Sequence, residues 1–313
     1  RGLGDVYKRQ GEDPWGKVTV WGIAEVLVSH AEGIAVGERL YGFFPMASHV
    51  VMKPGERSER GFTDAMPHRS ELPGLYNYYA RTQSEPAQLQ ALEDQRCIFF
   101  PLFMTGYVIA DLLLDNDWFG VEQILIGSAS SKTGFSTAAF IRAAGFQGAI
   151  AGLTSDQNVA FSEALGCYDR VVSYSEVGSV ANEPSAYIDI AGDVEVRSRL
   201  HHSLQNNAAH TLLVGATHWD QFGQSVDGEP LPGSEPQVFF APAQIEKRDG
   251  ECGRGVMMGK AYAASIELVT QLAPQLLMES HKGADACDAI WQGLLRNQVS
   301  GQRGVMVSLQ AET

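Results

Sequence analysis

Apolar residues in the second half of the chain fall into short runs separated by stretches of helical period. Val121 with Ile124-Leu125-Ile126 forms the first run, and a turn of small polar residues follows it: Gly127, Ser128, Ala129, Ser130, Ser131, Lys132, Thr133 and Gly134. Residues 135–144 then read FSTAAFIRAA, a helix pattern. Strand, small polar turn and helix in that order aim backbone N–H groups and a helix N-terminus at a phosphate. The alternation continues. Residues 148–153, 170–172, 187–191, 211–215 and 238–240 read as strands, and 156–166 as a helix with Val159, Phe161, Ala164 and Leu165 on one side. Such alternation predicts an α/β fold with a parallel, doubly wound sheet, and the handedness of crossovers leaves few other topologies.

The first hundred residues have a different pattern. Residues 14–53 alternate short apolar runs with glycine turns, which predicts a small antiparallel barrel or sandwich. Residues 53–74 are polar, with several prolines and glycines, and read as a long surface loop; 75–81 (LYNYYAR) are aromatic and candidates for lining a cleft. Residues 98–114 (IFFPLFMTGYVIADLLL) read as an apolar helix, 260–272 and 285–296 as later helices, and 304–309 as a closing strand. Residues 220–236 form a Gly/Pro/Ser-rich loop, and His201-His202 sit on a polar helix where solvation is expected. The expected division is a β-rich unit over 11–99, a nucleotide unit over 100–250 and a return to the first unit over 251–313. Residues 1–10 (RGLGDVYKRQ) lack apolar periodicity and read as a non-native translated scar.

Charge and cysteine content narrow the partners. A chain of 313 residues with 44% hydrophobic content has room for two ordinary domains. A net charge of −14 argues against nucleic acid, which needs clustered Lys and Arg. The four cysteines, Cys97, Cys167, Cys252 and Cys287, form no C-x-x-C pair and no ligand spacing with histidine, so neither zinc nor a disulfide framework is expected. No apolar run reads as a membrane span. A cytoplasmic location, no membrane partner and a small-molecule substrate are the corresponding expectations.

The turn itself admits three readings. Against a dinucleotide fingerprint it keeps Gly127 and Gly134 but has Ser131 where a middle glycine belongs, and Lys132 adds a point charge. Against a P-loop the spacer is one residue short and the glycine before the lysine is again Ser131, although Asp189 would stand where a magnesium ligand is needed. It is also compatible with a plain strand–turn–helix that binds nothing.

Several stretches resemble the medium-chain dehydrogenase/reductase superfamily. Residues 35–42 (AVGERLYG) resemble the kvGDrVyg turn of its catalytic domain, and 100–107 (FPLFMTGY) the helix leading into its cofactor domain. Residues 128–134 stand at its A-x-x-G-x-x-G turn; 164–174 (ALGCYDRVVSY) resemble lGAdeVinY, 189–192 (DIAG) the segment after its fourth strand, and 301–309 its closing strand. The serine-and-lysine turn is most similar to an uncharacterised, domain-of-unknown-function branch. The resemblance implies a Rossmann cofactor domain, a partial GroES-like catalytic domain with several dozen residues missing before residue 1, and a homodimer through the sheet edge. It also implies a zinc-free, quinone-reductase-like enzyme, because Trp21-Gly22-Ile23-Ala24-Glu25 stands where a zinc-binding histidine would be and no four-cysteine lobe follows.

The nucleotide expected is NADP, with NAD as the alternative. Thr154 and Ser155 stand where an acid would hold the ribose 2′-OH, and Asp156 falls late, at the start of the next helix. The resemblance places Tyr174 beside the adenosine 2′-phosphate. Gln157 and Asn158 replace the usual basic residue, leaving Lys132 or Arg170 to compensate. The cofactor residues expected are Thr105, Gly127, Ser128, Ser130, Ser131, Lys132, Thr133, Gly134, Thr154, Ser155, Tyr174, Asp189, Gly192, Gly215, Thr217 and Phe240. For proton donation the candidates are Tyr76, Tyr79, Tyr107 and His218. Two functions follow: an NAD(P)H-dependent oxidoreductase acting on a small carbonyl, enone or quinone, or a catalytically silent nucleotide-binding scaffold or sensor.

Overall fold

The computed structural model describes residues 18–215, 230–296 and 298–309. It separates into two compact units. One comprises the described residues up to Pro101 together with those from Met278 onward; the other runs from Leu102 to Leu277.

The first unit is built on an antiparallel sheet of order β1-β2-β5-β4-β3. Its strands are β1 (Thr19–Glu25), β2 (Arg39–Pro45), β3 (Pro54–Ser58), β4 (Gly61–Asp64) and β5 (Tyr78–Arg81). Leu40, Phe44, Phe62 and Tyr79 form its core with Ile34. The hairpin β3–β4 replaces part of the surface loop expected over 53–74. Its segment, PGERSERGFTD, shows no apolar alternation because β3 is half-buried to exposed and the buried residues of β4, Gly61, Phe62 and Asp64, do not alternate. Gly61 makes the pairing with β5 possible: a Cβ there would lie 2.2 Å from the Tyr79 carbonyl oxygen. The short helices α1 (Gly74–Asn77) and α2 (Ala87–Gln90) lead to α3 (Glu93–Asp115). Helix α3 is long and apolar enough to cross a membrane by length and composition, but 56% of its apolar window is buried inside the fold, as in a core helix. The unit boundary falls within it, at Pro101.

The second unit carries six strands, all paired in parallel. They are β6 (Gln123–Gly127), β7 (Ala149–Thr154), β8 (Arg170–Ser173), β9 (Ser185–Asp189), β10 (Ala208–Leu213) and β11 (Gln237–Val238). Between them run α4 (Lys132–Ala143), α5 (Val159–Ala164) and α6 (Val194–Leu204); α7 (Ala241–Cys252) and α8 (Val256–Leu272) follow. The sheet order β11-β10-β9-β6-β7-β8 is the doubly wound 3-2-1-4-5-6 arrangement, which reverses between its first and fourth strands. Those strands are β6 and β9, so the crevice of this fold opens at their carboxyl ends.

Polar residues are buried in α4 without losing their hydrogen bonds. Ser136 and Thr137 return their hydroxyls to the Thr133 carbonyl at 3.1 and 2.7 Å. Gly106 of α3 lies against them, and a Cβ there would come within 2.6 Å of Ser136 Oγ. This close approach is why small residues recur on both helices.

Three sequence expectations change. Residues 251–277 belong to the second unit rather than to the return, because Met257 and Ala261 of α8 pack with Met104 and Val108 of α3. His201 is 0% exposed; its Nδ1 lies 2.7 Å from the Pro232 carbonyl and its Nε2 3.0 Å from Thr211 Oγ1. A carbonyl only accepts, so Nδ1 donates and Nε2 receives the threonine proton. Phe240, expected on a strand, is the N-cap residue of α7 and is 59% exposed.

One last chain segment returns to the first unit as β12 (Leu277–Lys282), α9 (Ala284–Leu295) and β13 (Arg303–Ser308), with Glu279 and Arg303 paired at 2.6 Å between the two strands.

The buried ion pair of the second unit supplies its sharpest stability test. Arg197 of α6 donates to Asp189 Oδ2 at 2.6 Å, and both side chains are buried. Arg197→Met leaves the carboxylate uncompensated and is expected to destabilise the fold by about 3–5 kcal/mol, read as a lower urea midpoint; a loss under about 1 kcal/mol would show that the pair does not hold the β9–α6 turn.

Candidate functional site

The turn from Gly127 to Gly134 closes β6 at the reversal of strand order. Gly127 must be small, because a Cβ would approach Tyr187 Oη to 2.8 Å. The residue that takes the left-handed backbone is Ser128, at φ +54°. Its N–H donates to Tyr174 Oη at 2.8 Å. The Ala129 N–H donates to the Leu153 carbonyl at 3.0 Å, and Tyr168 Oη donates to the Ala129 carbonyl at 2.9 Å. Ser131 needs no glycine freedom: at φ −78°, ψ 152° it is extended and caps α4, its Oγ accepting the Gly134 N–H at 3.0 Å. This explains how serine replaces the middle glycine, and why α4 starts at Lys132 rather than at Phe135. Gly134 is required for contact, since a Cβ would lie 2.5 Å from the Ser128 carbonyl.

Lys132, the first residue of α4, is half-buried, and burial lowers its ammonium to about 8. Thr133 is buried beside it. At the end of β7, Thr154 is 1% exposed, and its Oγ1 donates to Ser130 Oγ at 3.3 Å. Ser155 Oγ accepts from Asn158 Nδ2 at 2.9 Å. After β8, Tyr174 packs on the sheet core while its hydroxyl holds Ser128, and burial pushes its phenol up to about 12. The structure thus brings Ser128, Ser130, Ser131, Lys132, Thr154 and Tyr174 to one corner.

At the end of β9, Asp189 is 0% exposed and both its oxygens are engaged, by Arg197 and by the Gly192 N–H at 2.8 Å. Asp189 therefore serves the turn and has no oxygen left for magnesium, and Gly192 (φ +71°) serves the same turn. Gly215, after β10, allows its strand end to meet that of β9: a Cβ would lie 2.1 Å from the Ile190 carbonyl.

The other expected residues lie elsewhere. On α3, Thr105 and Tyr107 are half-buried, and Tyr107 meets Phe140 edge-on at 5.5 Å; burial, then Asp111, raises its phenol. In the antiparallel unit, Tyr79 is 1% exposed, with its hydroxyl on the Phe43 carbonyl at 2.9 Å, which makes it a core residue rather than a proton donor. Tyr76 is half-buried among Trp21 and Phe43, at ring distances of 6.1 and 5.3 Å. Arg170 opens β8 at its amino end and donates to the Ser179 carbonyl at 3.0 Å, so it does not stand at the carboxyl-end crevice. Thr217 and His218 lie outside the described residues. Among the described residues no group of three or more His, Cys, Asp or Glu is arranged to hold a metal ion.

The roles of three residues escaped the sequence reading: Tyr168 and Tyr187, whose rings buttress the turn, and Gly152, where a Cβ would meet Ala129 Cβ at 2.7 Å. The only signal for them was their position on strands or strand ends beside a turn of small residues.

The chain combines a doubly wound parallel unit, with a small-residue turn at its strand reversal, and an antiparallel β unit. The chain belongs to the family DUF2855, described as a protein of unknown function, whose model matches residues 5–300. That match begins inside the stretch set aside as a scar. The quinone oxidoreductase from Coxiella burnetii shares the fold with a TM-score of 0.52 at 15% identity, over 98% of this chain and 84% of that one. CurA from Vibrio vulnificus does so with a TM-score of 0.50 at 12% identity, over 93% and 79%. No curated protein matches the chain.

The geometry of the turn is testable by stability alone. Ser131→Ala removes the cap of α4, and Tyr174→Phe leaves the Ser128 N–H without its acceptor. Each is expected to cost about 1–2 kcal/mol in denaturant unfolding. Wild-type stability in both would remove these two contacts from the account of the turn.

Proposed function

We propose that the chain is a nicotinamide-dinucleotide-dependent oxidoreductase that acts by hydride transfer on a small carbonyl, enone or quinone, without zinc. One observation carries the reading: the turn Gly127–Gly134 opens α4 at the reversal between β6 and β9, where doubly wound sheets bind dinucleotides. The turn's contacts fit that ligand. The near-contacts at Gly127 and Gly134 leave no room for a side chain at those two positions, and Lys132 with the first turn of α4 supplies positive charge and dipole toward a pyrophosphate. Thr133 and Ser130 add hydroxyls on the same corner. The name of the Coxiella relative in fold supports the substrate class by analogy of fold alone.

When bound, a nicotinamide supplies or takes up the hydride. The chain's own part is to bind the phosphates, to orient the ring and to keep water out. Tyr107 is the candidate that remains for a proton on the second unit, and Tyr76 on the first; His218 is proposed from its place after the fifth parallel strand. The closed position of Tyr79 favours one competing reading, a nucleotide-binding scaffold without turnover, since it removes one of four candidate donors. A cytoplasmic, homodimeric protein is the accompanying proposal.

Titration with NADH and NADPH, followed by nicotinamide fluorescence, tests the cofactor; failure of both to bind would end the reading. Oxidation of the bound cofactor by a quinone or enone panel separates enzyme from scaffold. Lys132 sets the pH dependence. Its ordinary value of 10.5 is lowered to about 8, so the cationic form is present below that pH and lost as pH rises through it. Affinity is therefore expected to hold below pH 8 and to fall above it. Lys132→Met is expected to weaken binding about tenfold and to flatten that fall; unchanged affinity would remove Lys132 from the site.

A further inference from the structure

Resting on the dinucleotide reading above, we infer that this site selects NAD(H) over NADP(H) and that Asp156 is the residue that sets the choice. Asp156 follows β7 by two residues and begins the turn into α5. Two hydroxyls from the end of β8 fix it: those of Ser173 and Ser175 both donate to Asp156 Oδ1, the latter at 3.0 Å. The two serines are themselves joined, Oγ to Oγ at 2.8 Å, and the Ser175 N–H donates to Ser173 Oγ at 3.1 Å. The carboxylate is thus held between the carboxyl ends of the second and third parallel strands. A dinucleotide whose pyrophosphate sits on the turn of the first strand lays its adenosine ribose in that place. Asp156 is exposed, and among the described residues its Oδ2 has no hydrogen-bond partner. An anchored anion with one oxygen open accepts from a ribose 2′-OH and repels a 2′-phosphate.

Two of the groups that pointed to NADP have other engagements. The Thr154 hydroxyl proton is spent on Ser130. Arg170 lies at the opposite end of β8, bonded to Ser179. The serines' hydrogen bonds also keep the Asp156 carboxyl below its ordinary range, so it stays anionic near neutral pH.

The experiment is a titration of the full chain with NADH and with NADPH, for wild type, Asp156→Asn and Ser173→Ala. Wild type is expected to bind NADH at least about tenfold more tightly than NADPH. Asp156→Asn keeps the shape, removes the charge and is expected to bring the two affinities within about threefold. Ser173→Ala frees the carboxylate and is expected to narrow the ratio partway. The readout is the ratio, which a general loss of structure does not move. Equal affinities in wild type, a preference for NADPH, or an unchanged ratio in Asp156→Asn would overturn the assignment while leaving the dinucleotide reading in place. Binding of neither nucleotide by wild type would overturn both.

Discussion

Ser128 carries the sharpest constraint in the second unit. The chain leaves β6 in a left-handed conformation that costs a non-glycine residue about 1–2 kcal/mol, and the Tyr174 hydroxyl holds the N–H that this conformation exposes. Everything around the corner accommodates that choice. Gly134 lies against the Ser128 carbonyl, so no side chain fits there; Gly152 leaves space for Ala129; Tyr168 takes the Ala129 carbonyl. A glycine-rich turn reaches the same path through backbone freedom. Here the path is fixed by Tyr168 and Tyr174, which flank β8, by Tyr187 of β9 and by a serine cap.

This arrangement changes how a phosphate is to be met. In a glycine turn the backbone N–H groups face the ligand directly. In this chain the N–H groups of Ser128, Ala129 and Ser131 are directed to Tyr174, to Leu153 and to Ser128. What the corner offers instead is the start of α4, the Lys132 ammonium and the hydroxyls of Ser130 and Thr133. The serines and the lysine are therefore one solution rather than separate departures from a fingerprint: once hydrogen bonds within the chain occupy the backbone donors, charge and hydroxyls carry the binding.

Much of the sheet was legible in the chain. Apolar runs such as Ile124-Leu125-Ile126, alternating with helical stretches, predicted parallel strands because a strand buried on both faces must be apolar throughout. The turn was legible as a turn. What its residues do was not, because hydrogen bonds across 46 positions, from Ser128 to Tyr174, leave no local pattern. The hairpin β3–β4 was hidden by its polar composition, His201 by a polar helix that buries one side, and Tyr79 by an aromatic segment that reads equally as cleft or core. Asp156 was noticed and set aside as too late for a ribose acid, since its serine anchors come from the next strand.

Two carboxylates near the strand ends show why residue type alone does not assign a site. Asp189 stands where a ligand-binding acid is expected, yet it is fully buried, with Arg197 on one oxygen and Gly192 on the other. Desolvation raises its pKa, ahead of the opposing effect of the arginine. Such a group holds the chain together and has nothing left to offer. Asp156 is exposed, is fixed through a single oxygen by neutral donors and leaves the other open. A residue that meets a ligand needs rigidity and an unspent valence together. At the carboxyl ends of these strands Asp156 meets both conditions, whereas Asp189 and Thr154 have spent theirs on the fold.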